Sequence, residues 1–238
     1  PSGSVFPIGT TTNTFMSTDG INTATCSFDI TVVDTEDPAL AGVPSAISQA
    51  NDAAQCGANV SWTTITATDN CGATVTTNPV SGSFFPVGTT SVSVAAMDAA
   101  GNIDTTSFTV TVNDSEAPII SNLPSNITIG NDTGMCTGTA TWSAATATDN
   151  CSATITSDFN SGDAFPVGTT TVTYIATDPA GNTDTASFTV TVNDTELPVV
   201  TCPSAVTVST DAGMCSASNV SLGSISVTDN CSATSTND

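Results

Sequence analysis

The chain has 238 residues and carries no Lys, Arg or His against 22 Asp plus Glu, a formal net charge of −22. It therefore lacks an imidazole base, any Ser-His-Asp or Cys-His pair, a Schiff-base lysine and an arginine phosphate clamp, and an enzyme is not expected. Such a polyanion repels nucleic acid and acidic membrane surfaces, which leaves small cations, Ca²⁺ above all, as its charged partners.

Ser and Thr make up roughly a third of the chain, well above ordinary usage. Val and Ile alternate with them, and β-branched Thr between apolar neighbours favours strands over disorder. No apolar run reaches the length of a membrane helix, so no membrane insertion is expected. No signal peptide is visible, so the leader of a secreted protein would lie outside this window.

In chain order, the first strand-like ending is Ser27-Phe28-Asp29-Ile30-Thr31-Val32-Val33-Asp34, preceded by Phe6-Pro7-Ile8-Gly9. Pro44 then falls in a predicted first strand at a sheet edge, and Trp62 falls in a second strand, six residues after Cys56. Thr68-Asp69-Asn70-Cys71 follows, then a second Phe-Pro-Val-Gly at Phe85. Val92-Ser-Val94 is a strand that ends in the hairpin turn Asp98-Ala-Ala-Gly101-Asn102, and Ser107–Asp114 repeats the closing strand. The cycle recurs with Pro124, Trp142, Thr148–Cys151, Phe165, Val172-Thr-Tyr174, Asp178–Asn182 and Ser187–Asp194. It then begins again with Pro203, with Leu222 in the tryptophan position and Thr228–Cys231. Asp34, Asp114 and Asp194 are spaced 80 residues apart, a period that suits a small domain in tandem. Strands of period two punctuated by turns predict an all-β fold of immunoglobulin-like antiparallel β-sandwiches arranged end to end. The tryptophans are expected to fill the core.

Asp-x-Glu-x-Pro, Ala-Thr-Asp-Asn-Cys, Phe-Pro-Val-Gly-Thr-Thr and Thr-Asp-Pro-Ala-Gly-Asn-Thr before Phe-Thr-Val-Thr-Val resemble the hyalin repeat (HYR) family over essentially the whole chain. The resemblance implies an immunoglobulin-like fold, an extracellular role in adhesion or surface structure, and no catalytic residues. It divides the chain into the second half of a repeat (1–35), two complete repeats (36–115 and 116–195) and the first half of another (196–238). Asp19-Gly20-Ile21-Asn22 is one residue shorter than its counterparts, so that hairpin should differ.

Eight cysteines point to an oxidising compartment. Three pairs recur in register, and the expected disulfides are Cys56–Cys71, Cys136–Cys151 and Cys215–Cys231, at separations of 15, 15 and 16 residues. A zinc site is the competing reading, but the pairs lack His and CxxC spacing. In the family resemblance Cys26 and Cys202 look like a further pair joining the first and last strands of one domain. Because they lie in opposite half repeats, Cys202 is expected to bond Cys26 of the next unit. Residues 196–238 followed by residues 1–35 rebuild a repeat to within one residue. Two readings stand: a window of a continuous array, or separate subunits that complete each other head to tail.

Asp34 and Glu36, Asp114 and Glu116, and Asp194 and Glu196 mark each junction. With Asp69, Asp149, Asp98 or Asp178 they form candidate Ca²⁺ ligands; the alternative is a solvated linker with turn-capping aspartates. Asn59, Asn126, Asn131 and Asn219 match the glycosylation pattern. The chain is thus expected to be a structural segment of an extracellular or cell-surface fibre whose main partner is itself. The alternative is an adhesin for a glycan or a surface receptor. No cofactor is required in either case, and Ca²⁺ is the one candidate.

Overall fold

The computed structural model describes residues 3–235, and among them every regular element is a strand. The chain divides into two units, Pro1–Ser115 and Glu116–Asp238. The fold is the expected all-β tandem of immunoglobulin-like sandwiches.

Unit one opens with a lone hairpin, β1 (Gly9–Thr18) and β2 (Thr23–Val32). It continues with β3 (Ala39–Ala41), β4 (Ala46–Ala50), β5 (Gly57–Val60), β6 (Thr66–Thr68), β7 (Ala73–Asn78), β8 (Ser83–Pro86), β9 (Gly88–Asp98) and β10 (Ile103–Asn113). One layer has the order β4-β10-β9-β7, and the other carries the pairs β3-β6 and β5-β8. Pairing is antiparallel throughout, except that β4 runs parallel to β10 from Ala46↔Thr109 to Ala50↔Asn113. Pro44 sits in the break between β3 and β4, where the chain leaves one layer for the other. A residue with no N–H is tolerated there because no ladder needs it.

Unit two repeats the plan. β11 (Ile119–Ser121), β12 (Ile127–Gly130), β13 (Thr137–Thr139), β14 (Thr146–Thr148), β15 (Thr154–Ser157), β16 (Ala164–Pro166), β17 (Gly168–Thr177) and β18 (Thr183–Asn193) form a four-stranded layer, β12-β18-β17-β15, and the pairs β11-β14 and β13-β16. The unit closes with the short pair β19 (Val199–Thr201) and β20 (Ser226–Thr228).

Alternation places Phe108, Val110 and Val112 inward from β10, against Val92, Val94, Val60 and Phe85. The second core uses Phe188, Val190 and Val192 against Val172, Tyr174 and Phe165. Trp62 meets Phe108 edge-on at 5.1 Å and Phe85 at 6.2 Å. Trp142 does the same with Phe188 and Phe165, and its Nε1 donates to Tyr174 Oη at 2.8 Å. Both tryptophans are therefore core residues, as expected. Thr89 with Thr111 and Thr169 with Thr191 pair their hydroxyls across the wet face of each long hairpin, and Thr10 with Thr31 matches them in β1-β2.

The hairpin aspartates explain the turn motif. Asp98 and Asp178 are buried. Asp98 accepts from the N–H of Gly101 and Asn102 and from Asn102 Nδ2 at 2.6, 2.8 and 2.7 Å. Asp178 is held by Asn182 N and Nδ2 in the same way. In the shorter turn, Asp19 accepts from Ile21 and Asn22 at 2.9 and 2.6 Å, with Gly20 at a φ of 89°, so this hairpin does differ.

Candidate functional site

The candidate site lies where one repeat meets the next, and unit two contains a complete junction. Its first part is the turn Asp132-Thr133-Gly134-Met135-Cys136. Met135 N donates to Asp132 O at 2.9 Å and Asp132 N to Thr137 O at 2.7 Å. Gly134 has a φ of 72°, which favours glycine. The second part is the tip Thr228-Asp229-Asn230-Cys231 of the following half repeat. Asp229 Oδ1 accepts from Cys231 N at 3.0 Å, an Asx turn that fixes the cysteine.

The two parts interlock. Cys136 and Cys231 form a disulfide with their Cα atoms 4.7 Å apart. Asn230 Nδ2 donates to Met135 O at 2.7 Å, and Gly134 N donates to Glu196 Oε1 at 2.8 Å. Asn131 secures the linker, its Oδ1 accepting from Thr195 N and Oγ1 at 2.8 and 2.9 Å. A bond between successive repeats thus replaces the expected bond within one.

All three expected intrarepeat pairs are corrected. Cys136 bonds Cys231, not Cys151. Cys71 and Cys215 are exposed thiols, which removes Cys56–Cys71 and Cys215–Cys231. Cys56 and Cys151 are themselves disulfide-bonded. The physical reason is reach. Between Cys56 and Cys71 the chain runs one way through β5 and β6, so the two cysteines stand at opposite ends of the sandwich. A disulfide needs Cα atoms within about 7 Å. Cys26 and Cys202 are exposed thiols in their half repeats. The residues that would form the seam between those halves, 1–2 and 236–238, lie outside the described residues.

The acidic groups divide into two kinds. Asp34, Asp69 and Cys71 present ligand atoms within 4.8 Å of one another, as do Asp194, Asp229 and Cys231. Asp34 Oδ2 and Asp69 Oδ1 are shut off from solvent with no nitrogen or oxygen hydrogen-bond partner. The Asp34 carboxylate, with burial and the charges of Asp69 and Asp98, pushes the Cys71 thiol pKa up. Three other acidic groups are held by hydrogen bonds. Glu196 caps the Gly134 turn, and Asp98 and Asp178 are occupied by their own hairpins, while Glu36 is exposed. Asp114 and Glu116 flank the boundary between the units, and Asp149 forms the Asx turn before Cys151, accepting from Cys151 N at 2.9 Å.

Among the glycosylation candidates, Asn59, Asn126 and Asn219 are exposed. Asn131 is not a free acceptor: its Nδ2 donates to Met135 O at 3.0 Å while its Oδ1 holds Thr195.

The HYR domain family model matches residues 33–112 and 113–192. Hyalin of Lytechinus variegatus is 39% identical over 213 residues, covering 84% of this chain and 40% of that protein. Hyalin of Strongylocentrotus purpuratus is 38% identical over 218 residues, covering 84% of this chain and 18% of that protein. A rat sushi, von Willebrand factor type A, EGF and pentraxin domain-containing protein is 33% identical over 71% of this chain and 5% of its own length. The chain thus spans well under half of the curated relatives it matches. Among solved structures, a protocadherin gammaB7 cis-dimer superposes with a TM-score of 0.35 at 16% identity, over 83% of this chain and 61% of that one.

Proposed function

Because the chain belongs to the HYR domain family, we propose that it is a segment of an extracellular structural and adhesive array in which head-to-tail repeats bind one another and each half repeat is completed by its neighbour. The repeat boundaries of this reading are 36–115 and 116–195, flanked by halves at 1–35 and 196–238.

One observation carries it. Phe28 occupies the place of Phe108 and Phe188 in the closing strand, yet it is 50% exposed where each of those is 3% exposed. Phe15 and Met16 on β1 and Val199, Val200 and Leu222 in the last half are open as well. The first half offers the β1-β2 hairpin without the layer that should cover it, and the last half offers the β19-β20 pair without a hairpin. The two apolar faces are complementary parts of one sandwich, and burying each face stabilises both by about 25 cal/mol per Å².

Concentrating the chain should therefore give head-to-tail oligomers, visible by light scattering and as filaments in electron micrographs. Phe28→Ala should abolish them. A chain that stays monomeric at high concentration would remove this reading.

Ca²⁺ enters as a stiffener of the junctions. The Asp34–Asp69 and Asp194–Asp229 pairs sit in a chain without one basic residue, so only a proton or an external cation neutralises them. Two carboxylates fall short of the six to eight oxygens Ca²⁺ takes, which points to affinity on the order of 10⁻⁴–10⁻³ M. Chelation should lower the melting temperature, and an unchanged melting curve would discard the ion.

A further inference from the structure

We propose that the Cys136–Cys231 clasp recurs at each junction of the array, so that Cys215 bonds the Thr-Asp-Asn-Cys cysteine of the repeat that follows it and Cys71 the socket cysteine of the repeat before it; two copies of this chain brought together supply such a pair as Cys215 and Cys71. The proposal rests on the head-to-tail reading above and gives it a covalent chemistry.

The template is the junction already formed. Its socket is Asp132-Thr133-Gly134-Met135-Cys136, and its knob is Thr228-Asp229-Asn230-Cys231. Asp211-Ala212-Gly213-Met214-Cys215 repeats the socket with one change. Met214 N donates to Asp211 O at 3.0 Å and Asp211 N to Ser216 O at 2.8 Å, matching Met135 and Asp132, and Gly213 has a φ of 79° against 72° for Gly134. Asp211 Oδ2 accepts from Ser218 Oγ as Asp132 Oδ2 does from Thr139 Oγ1, both at 2.7 Å. Thr68-Asp69-Asn70-Cys71 repeats the knob without change, and Cys71 N donates to Asp69 Oδ2 at 2.7 Å.

Beside the filled Cys136–Cys231 junction the chain therefore carries a preformed socket and a preformed knob, with both sulfurs of this unfilled pair reduced and exposed. The expected contacts follow from the template: Asn70 of the second copy donates to Met214 O, its Glu36 caps Gly213 N, and its Cys71 bonds Cys215. Bond formation is thiol–disulfide exchange with a small-molecule disulfide such as oxidised glutathione. One protein thiolate displaces a glutathione thiolate to give a mixed disulfide. The second protein thiolate displaces the other, so two protein thiols are oxidised and one glutathione disulfide is reduced to two thiols.

The test uses the full chain with Cys26→Ser and Cys202→Ser, which leaves Cys71 and Cys215 as the reactive thiols. After oxidation with the glutathione couple, denaturing electrophoresis without reductant should show a ladder in steps of 23.6 kDa. Adding Cys71→Ser or Cys215→Ser should each leave monomer, while mixing those two variants should give dimer and nothing larger. Peptides cut at acidic residues should contain Cys71 joined to Cys215. Homodimers of either single variant would overturn the pairing. Oligomers whose two thiols both still alkylate would overturn the clasp and leave the head-to-tail reading standing. A chain that light scattering finds monomeric throughout would overturn both.

Discussion

Trp142 and Trp62 fill equivalent places, but Tyr174 stands in the second core where Val94 stands in the first. Trp142→Phe should therefore cost about 1 kcal/mol more than Trp62→Phe, the net worth of one buried hydrogen bond, read from paired urea titrations. Phe165 is fully enclosed, and Phe165→Ala should cost about 3–5 kcal/mol by the same measurement. The hairpin aspartates add a pH signature. Burial pushes the Asp98 and Asp178 pKa values upward, but hydrogen bonds from Asn102 or Asn182 and the turn N–H groups outweigh it, and both lie below the ordinary aspartate value. The unfolded chain then holds more protons than the native one. This stability is present above the unfolded value and is lost as pH falls through the folded value. Asp98→Asn should lower the melting temperature at pH 6, and the gap to the parent should narrow toward pH 2. A gap independent of pH would remove the ionic account.

At the scale of elements, strands and turns were legible because their signals are local. Phe188-Thr-Val190-Thr-Val192 alternates with period two, and its apolar members are the ones buried in β18. Asp178-Pro-Ala-Gly-Asn is a turn by composition and folds as one. The kink at Pro44 and the parallel pairing of β4 with β10 were not legible, because both depend on which layer the chain joins next. The cysteines misled for a similar reason. Constant spacing marks them as related but does not say which end of the sandwich each occupies. A usable signal was present: one extended run separates Cys136 from Cys151, so a bond between them would have to span the domain. The observed link between Cys136 and Cys231 closes a loop of 95 residues. In the chain-entropy model a loop near that length is worth about 4.7 kcal/mol. Cys136→Ser should lower stability by up to that amount. It should also raise hydrogen exchange in β19 and β20 while β12 to β18 stay protected.

At the scale of the whole molecule, a charge of −22 with no basic residue makes neighbouring copies repel. Assembly should strengthen as ionic strength rises from about 0.01 to 0.15 M, where the screening length falls from about 30 to 8 Å. Sedimentation across that range checks it, and weaker association at higher salt would overturn it.

The parallel pairing of β4 with β10 and of β12 with β18 has a mechanical consequence. Tension along a tethered string of these sandwiches pulls the start of one strand and the end of its partner in opposite directions. Their hydrogen bonds are then loaded side by side in shear and cannot unzip one at a time. Each sandwich should yield abruptly at high force, like a clip, and a proline placed at Thr111 or Thr191, whose N–H faces β4 or β12, should remove one rung and soften it.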